Sequence, residues 1–105
     1  MIPSLSLLET ASAVARHAGH VHAVTADNVA RADMPGATAR EAMRFGAAVR
    51  ALGRGDAPAP QATNTPISLQ SELAVMATNA GRHDAAVLLW SKTMDMVRLA
   101  GASPR

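Results

Sequence analysis

Apolar and small side chains recur along two stretches of this chain at alternating steps of four and three residues. In the first, Leu7, Ala11, Val14, Ala18, Val21, Thr25, Asn28 and Ala32 mark one stripe. In the second, Leu69, Leu73, Met76, Ala80, His83, Val87, Trp90, Met94 and Val97 mark another, broken only by the histidine. Such spacing holds a stripe on one helix face and is the spacing of a coiled-coil seam. It predicts helices over 4–32 and 68–100. Ser6 with Glu9 forms a candidate capping box for the first helix, with Ser4 as a rival cap, and Ser68 is a natural N-cap for the last. Gly19 costs about 1 kcal/mol against Ala inside a helix, so the first helix is not strong by itself.

The region between the stripes reads differently. Pro35-Gly36 breaks the first pattern: Met34, before the proline, is pushed out of the helical region, and Gly36 supplies the positive φ of a turn over 33–38. Thr38 and Glu41 then make a T-x-x-E capping box. Ala42, Phe45, Val49 and Leu52 follow as one apolar face, which predicts a short helix over 39–52, ended by Gly53 and Gly55. Residues 53–67, with three prolines and almost no large apolar side chain, read as a linker. The Arg54-Gly55-Asp56 triplet lies in that Gly/Pro stretch and carries no adhesion argument. The fold expected is all-α and a single domain over 1–105. Long N- and C-terminal helices form an antiparallel coiled-coil hairpin, with a short middle helix and a Pro/Gly linker.

Composition changes that picture in one respect. Apolar residues make up 49% of the 105 residues, but 24 of them are Ala, and Phe45 and Trp90 are the aromatics. Alanine favours helix yet brings little area to a core. The remaining large side chains are more than a lone hairpin covers, and such surplus apolar surface points to partners. The net charge of +2 comes from ten basic and eight acidic residues. Each half carries five basic and four acidic residues, so no basic patch forms, and clustered basic residues interleaved with aromatics are absent; nucleic-acid binding is not expected. With no cysteine, disulfides, thiolate zinc sites and cysteine nucleophiles are excluded. The first residues lack the pattern of a secretory signal, and no stretch approaches the ~18 apolar residues of a membrane span.

Chemistry is sparse. His17 and His20 share a helix face, but His22 points about 200° away from His20, and no carboxylate lies one turn from both members of the pair. A partly solvated polar face is the better reading than a metal site. His83 reads as a buried or interface histidine. The carboxylates are scattered singly, and no nucleophile elbow or phosphate loop is present, so neither an enzyme nor a cofactor site is expected.

The segment Thr25-Ala26-Asp27-Asn28-Val29-Ala30-Arg31-Ala32-Asp33-Met34-Pro35-Gly36 resembles the N-terminal signature of bacterial flagellar rod and hook proteins. That family's pattern resembles A-x-N-I-A-N-A-D-T-P-G-Y. Ala26, Asn28, Val29, Ala30, Ala32, Asp33, Pro35 and Gly36 follow it, while Arg31, Met34 and Ala37 depart from it. Ala39-Arg40-Glu41 is similar to the A-R-D step after the turn. Ile67 to Asn79 is similar to the family's V-D-x-x-x-E-M-x-x-M-x-x-N run, and His83 stands where a Tyr is frequent. The short length points to the proximal-rod, FlgB-type branch. The resemblance covers residues 5–40 and 67–100 and implies a structural subunit of the basal-body rod, located in the periplasmic axial tube and exported without a cleaved Sec signal. Its implied partners are other rod proteins and the export-gate and MS-ring components, as a homo- and hetero-oligomer. In that reading Leu7, Val14, Val21, Leu73, Met76, Val87, Trp90 and Met94 zip the hairpin. Asn28 fixes register through neighbouring backbone, Asn79 does the same on the other helix, and Asp33, Pro35 and Gly36 set the exit of the chain; His83 belongs to the same partner-binding set. A small cytosolic helical adaptor that binds a partner helix is the alternative.

Overall fold

The computed structural model describes residues 3–102. Three helices and two strands follow in the order α1 (Pro3–Arg31), β1 (Thr38–Glu41), α2 (Phe45–Gly53), β2 (Gln61–Pro66) and α3 (Leu69–Ala102). The chain is mostly helical, with long terminal helices. It is not all-α, because β1 and β2 pair as an antiparallel two-stranded sheet.

Local chemistry sets the helix ends. Pro3 opens α1, where its missing N–H is no loss. The predicted Ser6–Glu9 box therefore lies inside the helix. At the other end, Ala37 N–H donates to Met34 O at 3.1 Å across Pro35-Gly36, and Gly36 has φ of +75°. Proline second and a left-handed glycine third is the pattern of a type II turn. Ser68 caps α3, its Oγ accepting from Ser71 N–H at 3.3 Å. Gly55, at φ of +80°, closes α2: Asp56 N–H bonds Ala51 O at 2.8 Å and Gly55 N–H bonds Leu52 O at 3.0 Å. This is a Schellman cap. The Arg54–Asp56 ion pair beside it gives the Arg-Gly-Asp triplet a local role.

Residues 39–41, expected to begin the short helix, are extended with Thr38 in β1, and α2 starts only at Phe45. Thr38 and Glu41 make no capping box; their backbone pairs with β2. The register runs Thr38 to Pro66, Arg40 to Ala62 and Glu41 to Gln61, with an irregularity between Thr38 and Arg40. Thr63 sits in that irregularity and donates its hydroxyl to Ala39 O. The segment expected to be linker thus carries β2.

α1 and α3 lie side by side in opposite directions. Asn79 of α3 bonds Ala18 of α1, Glu72 reaches Asn28, and Ala86 with Trp90 lines a cleft with Ala11. On α1 the stripe positions Ala11, Ala18, Thr25 and Asn28 are buried, as are His17 and Val24 beside them. On α3 the buried positions are Asn79, Ala86 and Thr93, with Glu72 half-buried one heptad earlier. These lie one residue before Leu73, Ala80, Val87 and Met94, so half of the expected α3 seam is displaced. Leu73 is 58% exposed, Val87 49% and Trp90 43%. Small side chains at the contact let the helix axes approach closely, and the large ones flank it.

The resulting body measures 67 × 28 × 14 Å, with a radius of gyration of 17.4 Å. A compact domain of this length has a radius near 13 Å. The accessible surface is 7289 Å², against about 5,500 Å² for a folded monomer of this mass. A thickness of 14 Å is little more than one helix, about 10–12 Å across. The molecule is one layer deep, and among the described residues the buried apolar ones, Val24 apart, are alanines: Ala11, Ala18, Ala48, Ala51 and Ala86.

The close α1–α3 contact sets an expected outcome. Ala18→Leu or Ala86→Leu overpacks it and costs about 1–3 kcal/mol. Leu88→Ala, on the open face, changes stability by less than about 0.5 kcal/mol. Urea unfolding followed by circular dichroism, at a concentration where the helices are formed, checks both.

Candidate functional site

The polar chemistry of the chain gathers along one face of α1, opposite the extended segment 38–43. Asn28 is 2% exposed, and its amide uses its full hydrogen-bonding capacity. Its Nδ2 donates to Arg40 O at 2.9 Å and to Glu72 Oε1 at 3.1 Å; its Oδ1 accepts from Arg40 N–H at 2.9 Å and Arg31 Nη2 at 2.9 Å. Gripping both backbone groups of Arg40, Asn28 does what a neighbouring β-strand residue would do. Glu72 ties the start of α3 to the same point.

Arg31, one turn on, donates to Thr38 O at 3.0 Å through Nη1 and to Asp27 Oδ2 at 3.0 Å through Nε. Asp27 also accepts from Arg40 Nη1 at 2.9 Å. Two arginines converge on one half-exposed carboxylate, and Arg31 carries the carbonyl of β1 as well.

At the other end of the segment, Met43 is held in the same bidentate way by two residues. His17 Nε2 lies 2.8 Å from Met43 O, and Met43 N–H donates to His20 Nε2 at 2.8 Å. His17 is buried and packs edge-to-face on Phe45 with centroids 5.5 Å apart. The His20 imidazole is held below its ordinary protonation range by desolvation and, second, by the neighbouring His17.

The geometry of this clamp is commensurate. From Arg31 back to His20 is eleven helical residues, about 16 Å of rise. From Thr38 to Met43 is five extended residues, also about 16 Å. His17 and His20 recur as Asn28 and Arg31 after eleven residues, which is three helical turns and the same face. β1 is thus bonded by α1 side chains on one edge and by β2 on the other. The arrangement holds chain; its polar groups face backbone and one another. Among the described residues no group of three or more His, Cys, Asp or Glu is placed to hold a metal.

The other residues singled out in the sequence fall elsewhere. Asn79, 5% exposed, donates to Ala18 O at 2.7 Å, so it bonds backbone across the helix pair, while its buried Oδ1 has no partner. Pro35 and Gly36 form the turn, and Asp33 lies exposed beside them. Val14, Val21, Met76 and Met94 are half-buried, whereas Leu7, Leu73, Val87 and Trp90 stay exposed. His83 borders an open cleft with His22 and Asp84. Sequence reading missed Arg31, Arg40, Glu72 and the binding of Met43 by His17 and His20. The repeat H-x2-H then N-x2-R at eleven residues was the available signal.

Asn28→Ala is expected to destabilise the fold by about 2–4 kcal/mol, because it removes a buried side chain that makes four hydrogen bonds and leaves the N–H and C=O of Arg40 without their partner. Asp27→Asn is expected to cost less than about 1 kcal/mol, since that carboxylate is screened by solvent. Urea midpoints of the two variants against the parent check the order. No protein-family model, curated protein or solved structure matches this chain.

Proposed function

We propose that this chain is a structural subunit of a multi-subunit axial assembly, and that the assembly is the proximal rod of a bacterial flagellar basal body. The observation that carries the reading is the outward placement of α3's heptad stripe. Leu69, Leu73, Val87, Trp90 and Val97 are all exposed on a body one helix layer thick. A stripe with that period packs against another helix as a coiled coil, and here the covering helix would come from a neighbouring subunit. The sequence resemblance supplies the identity of the assembly. Its signature residues Asn28, Pro35 and Gly36 coincide with the clamp and turn that fix where the chain leaves α1. In this reading α1 and α3 form the subunit's tube-facing hairpin. The segment from β1 to β2 projects from it, and the partners are like subunits, other rod proteins and the export-gate and MS-ring components. No helix of the described residues is long and apolar enough to cross a membrane.

Assembly then couples to ordering. Ala-dominated packing supplies little burial within one chain, so helix content is expected to rise with protein concentration together with sedimenting mass. Val87→Asp with Trp90→Glu is expected to block that growth. Full cooperative helicity of a monomer at low concentration would instead support an adaptor with a single partner. The deciding experiment is deletion of the coding sequence. Loss of flagella, with the protein recovered in isolated basal bodies, supports the proposal, and unchanged flagellation overturns it.

A further inference from the structure

The two histidine bonds of the α1 clamp make opposite demands on a proton. Met43 presents an N–H to His20 and a carbonyl to His17. His20 Nε2 must therefore be a bare lone pair, which requires the neutral ring with its proton on Nδ1. His17 Nε2 must carry a proton, which it does in both the neutral tautomer and the cation. A second proton on His20 has one place to go, Nε2, where it points at the Met43 N–H. We propose that His20 is an acid-sensitive latch: its protonation releases the 42–44 connector, and with it the start of α2, from α1.

The surroundings favour that response. The His17 and His20 ring centroids are 6.4 Å apart, so charging both sets like charges against each other. On α1 the other ionisable groups near this face are Arg16 and, two turns on, Asp27, which Arg31 and Arg40 already engage. The connector brings Glu41 and Arg44 on either side of Met43, and α2 brings the exposed Arg50. α3 presents Arg82, His83 and Asp84 toward α1 on other flanks, beside Val21 or beside Gly19 and His22. Among the described residues no carboxylate bonds either imidazole of the pair, so none compensates a charge on His20. Beyond Met43, α2 is anchored through Ala48, Ala51 and the Phe45–His17 ring contact. Opening at Met43 removes its polar tether.

The sign follows from the direction of the shift. His20 in the closed clasp holds a proton more weakly than a free histidine, because of burial and then His17. The clasp is therefore complete above about pH 6.5, the free-histidine value, and is lost as pH falls from there through the lowered value. The latch rests on the α1–Met43 geometry and is independent of the proposed assembly.

Amide hydrogen exchange of the full chain between pH 8 and pH 5, corrected for intrinsic rates, tests it. Protection of the Met43 amide is expected to fall below about pH 6.5 by up to about tenfold per pH unit, while Val21 and Ala86 in the long helices hold theirs. His20→Gln, whose side-chain carbonyl accepts from Met43 N–H without titrating, is expected to keep a flat profile. His17→Gln keeps the acid loss, because His20 still titrates. Met43 protection that is absent at pH 8, that ignores pH in the parent, that is lost by acid in His20→Gln, or that stops responding to acid in His17→Gln overturns the latch.

Discussion

The grip of one buried amide on one strand residue is the interaction on which the rest of the structure depends. Asn28 takes both backbone groups of Arg40 and a carboxylate oxygen of Glu72, and receives Arg31 in return. α1, β1 and α3 meet at that side chain. A two-stranded sheet alone is marginal in water, and this one has strands of four and six residues. It persists because α1 serves as its third edge, with side chains in place of a strand. The match of about 16 Å along both partners lets the grip repeat at Met43 without stretching either.

A second constraint follows from how α1 and α3 meet. Their contact is built from Ala11, Ala18, Thr25, Asn79, Ala86 and Thr93, which allow close approach but bury little apolar area. Large side chains are therefore left beside the seam and not in it, and the surface exceeds that of a compact monomer by well over a thousand square ångströms. Polar bonds fix the geometry of the chain, while much of the hydrophobic driving force remains unspent on the outer face of α3. Division of labour of this kind suits a part that is shaped by its own residues and stabilised by its neighbours.

What the sequence disclosed was what local rules decide. Both long helices follow from their periodicity, the Pro35-Gly36 turn from backbone sterics, and the end of α2 from Gly55. The strands were hidden because nothing local demands them. Thr38-Ala39-Arg40-Glu41 carries a helix-capping pattern, and Gln61 to Pro66 has the composition of a linker; their extended form is imposed by Asn28, Arg31 and each other. The α3 stripe was visible, but period identifies a stripe and not the neighbour that covers it. The apolar arc of α3 is wider than one seam, and α1 sits on the smaller-residue flank, one position away from Leu73 and Val87. The clamp was half visible: Asn28 stood out, whereas the eleven-residue echo of the His17–His20 pair in Asn28–Arg31 needs β1 and the connector to Met43 before it means anything.

Arg31 shows why the echo matters. It is among the most heavily bonded residues of the joint. It reaches Asp27, Asn28 and Thr38 through three separate nitrogens. A short amide has one nitrogen, and a lysine has a single ammonium without the planar fork that spreads three donors over three acceptors. An arginine at that site also requires a counter-charge, which Asp27 provides and shares with Arg40. The three residues therefore form one coupled unit around Asn28. Arg31→Asn would leave Asp27 with one cation and the Thr38 carbonyl with no side-chain donor.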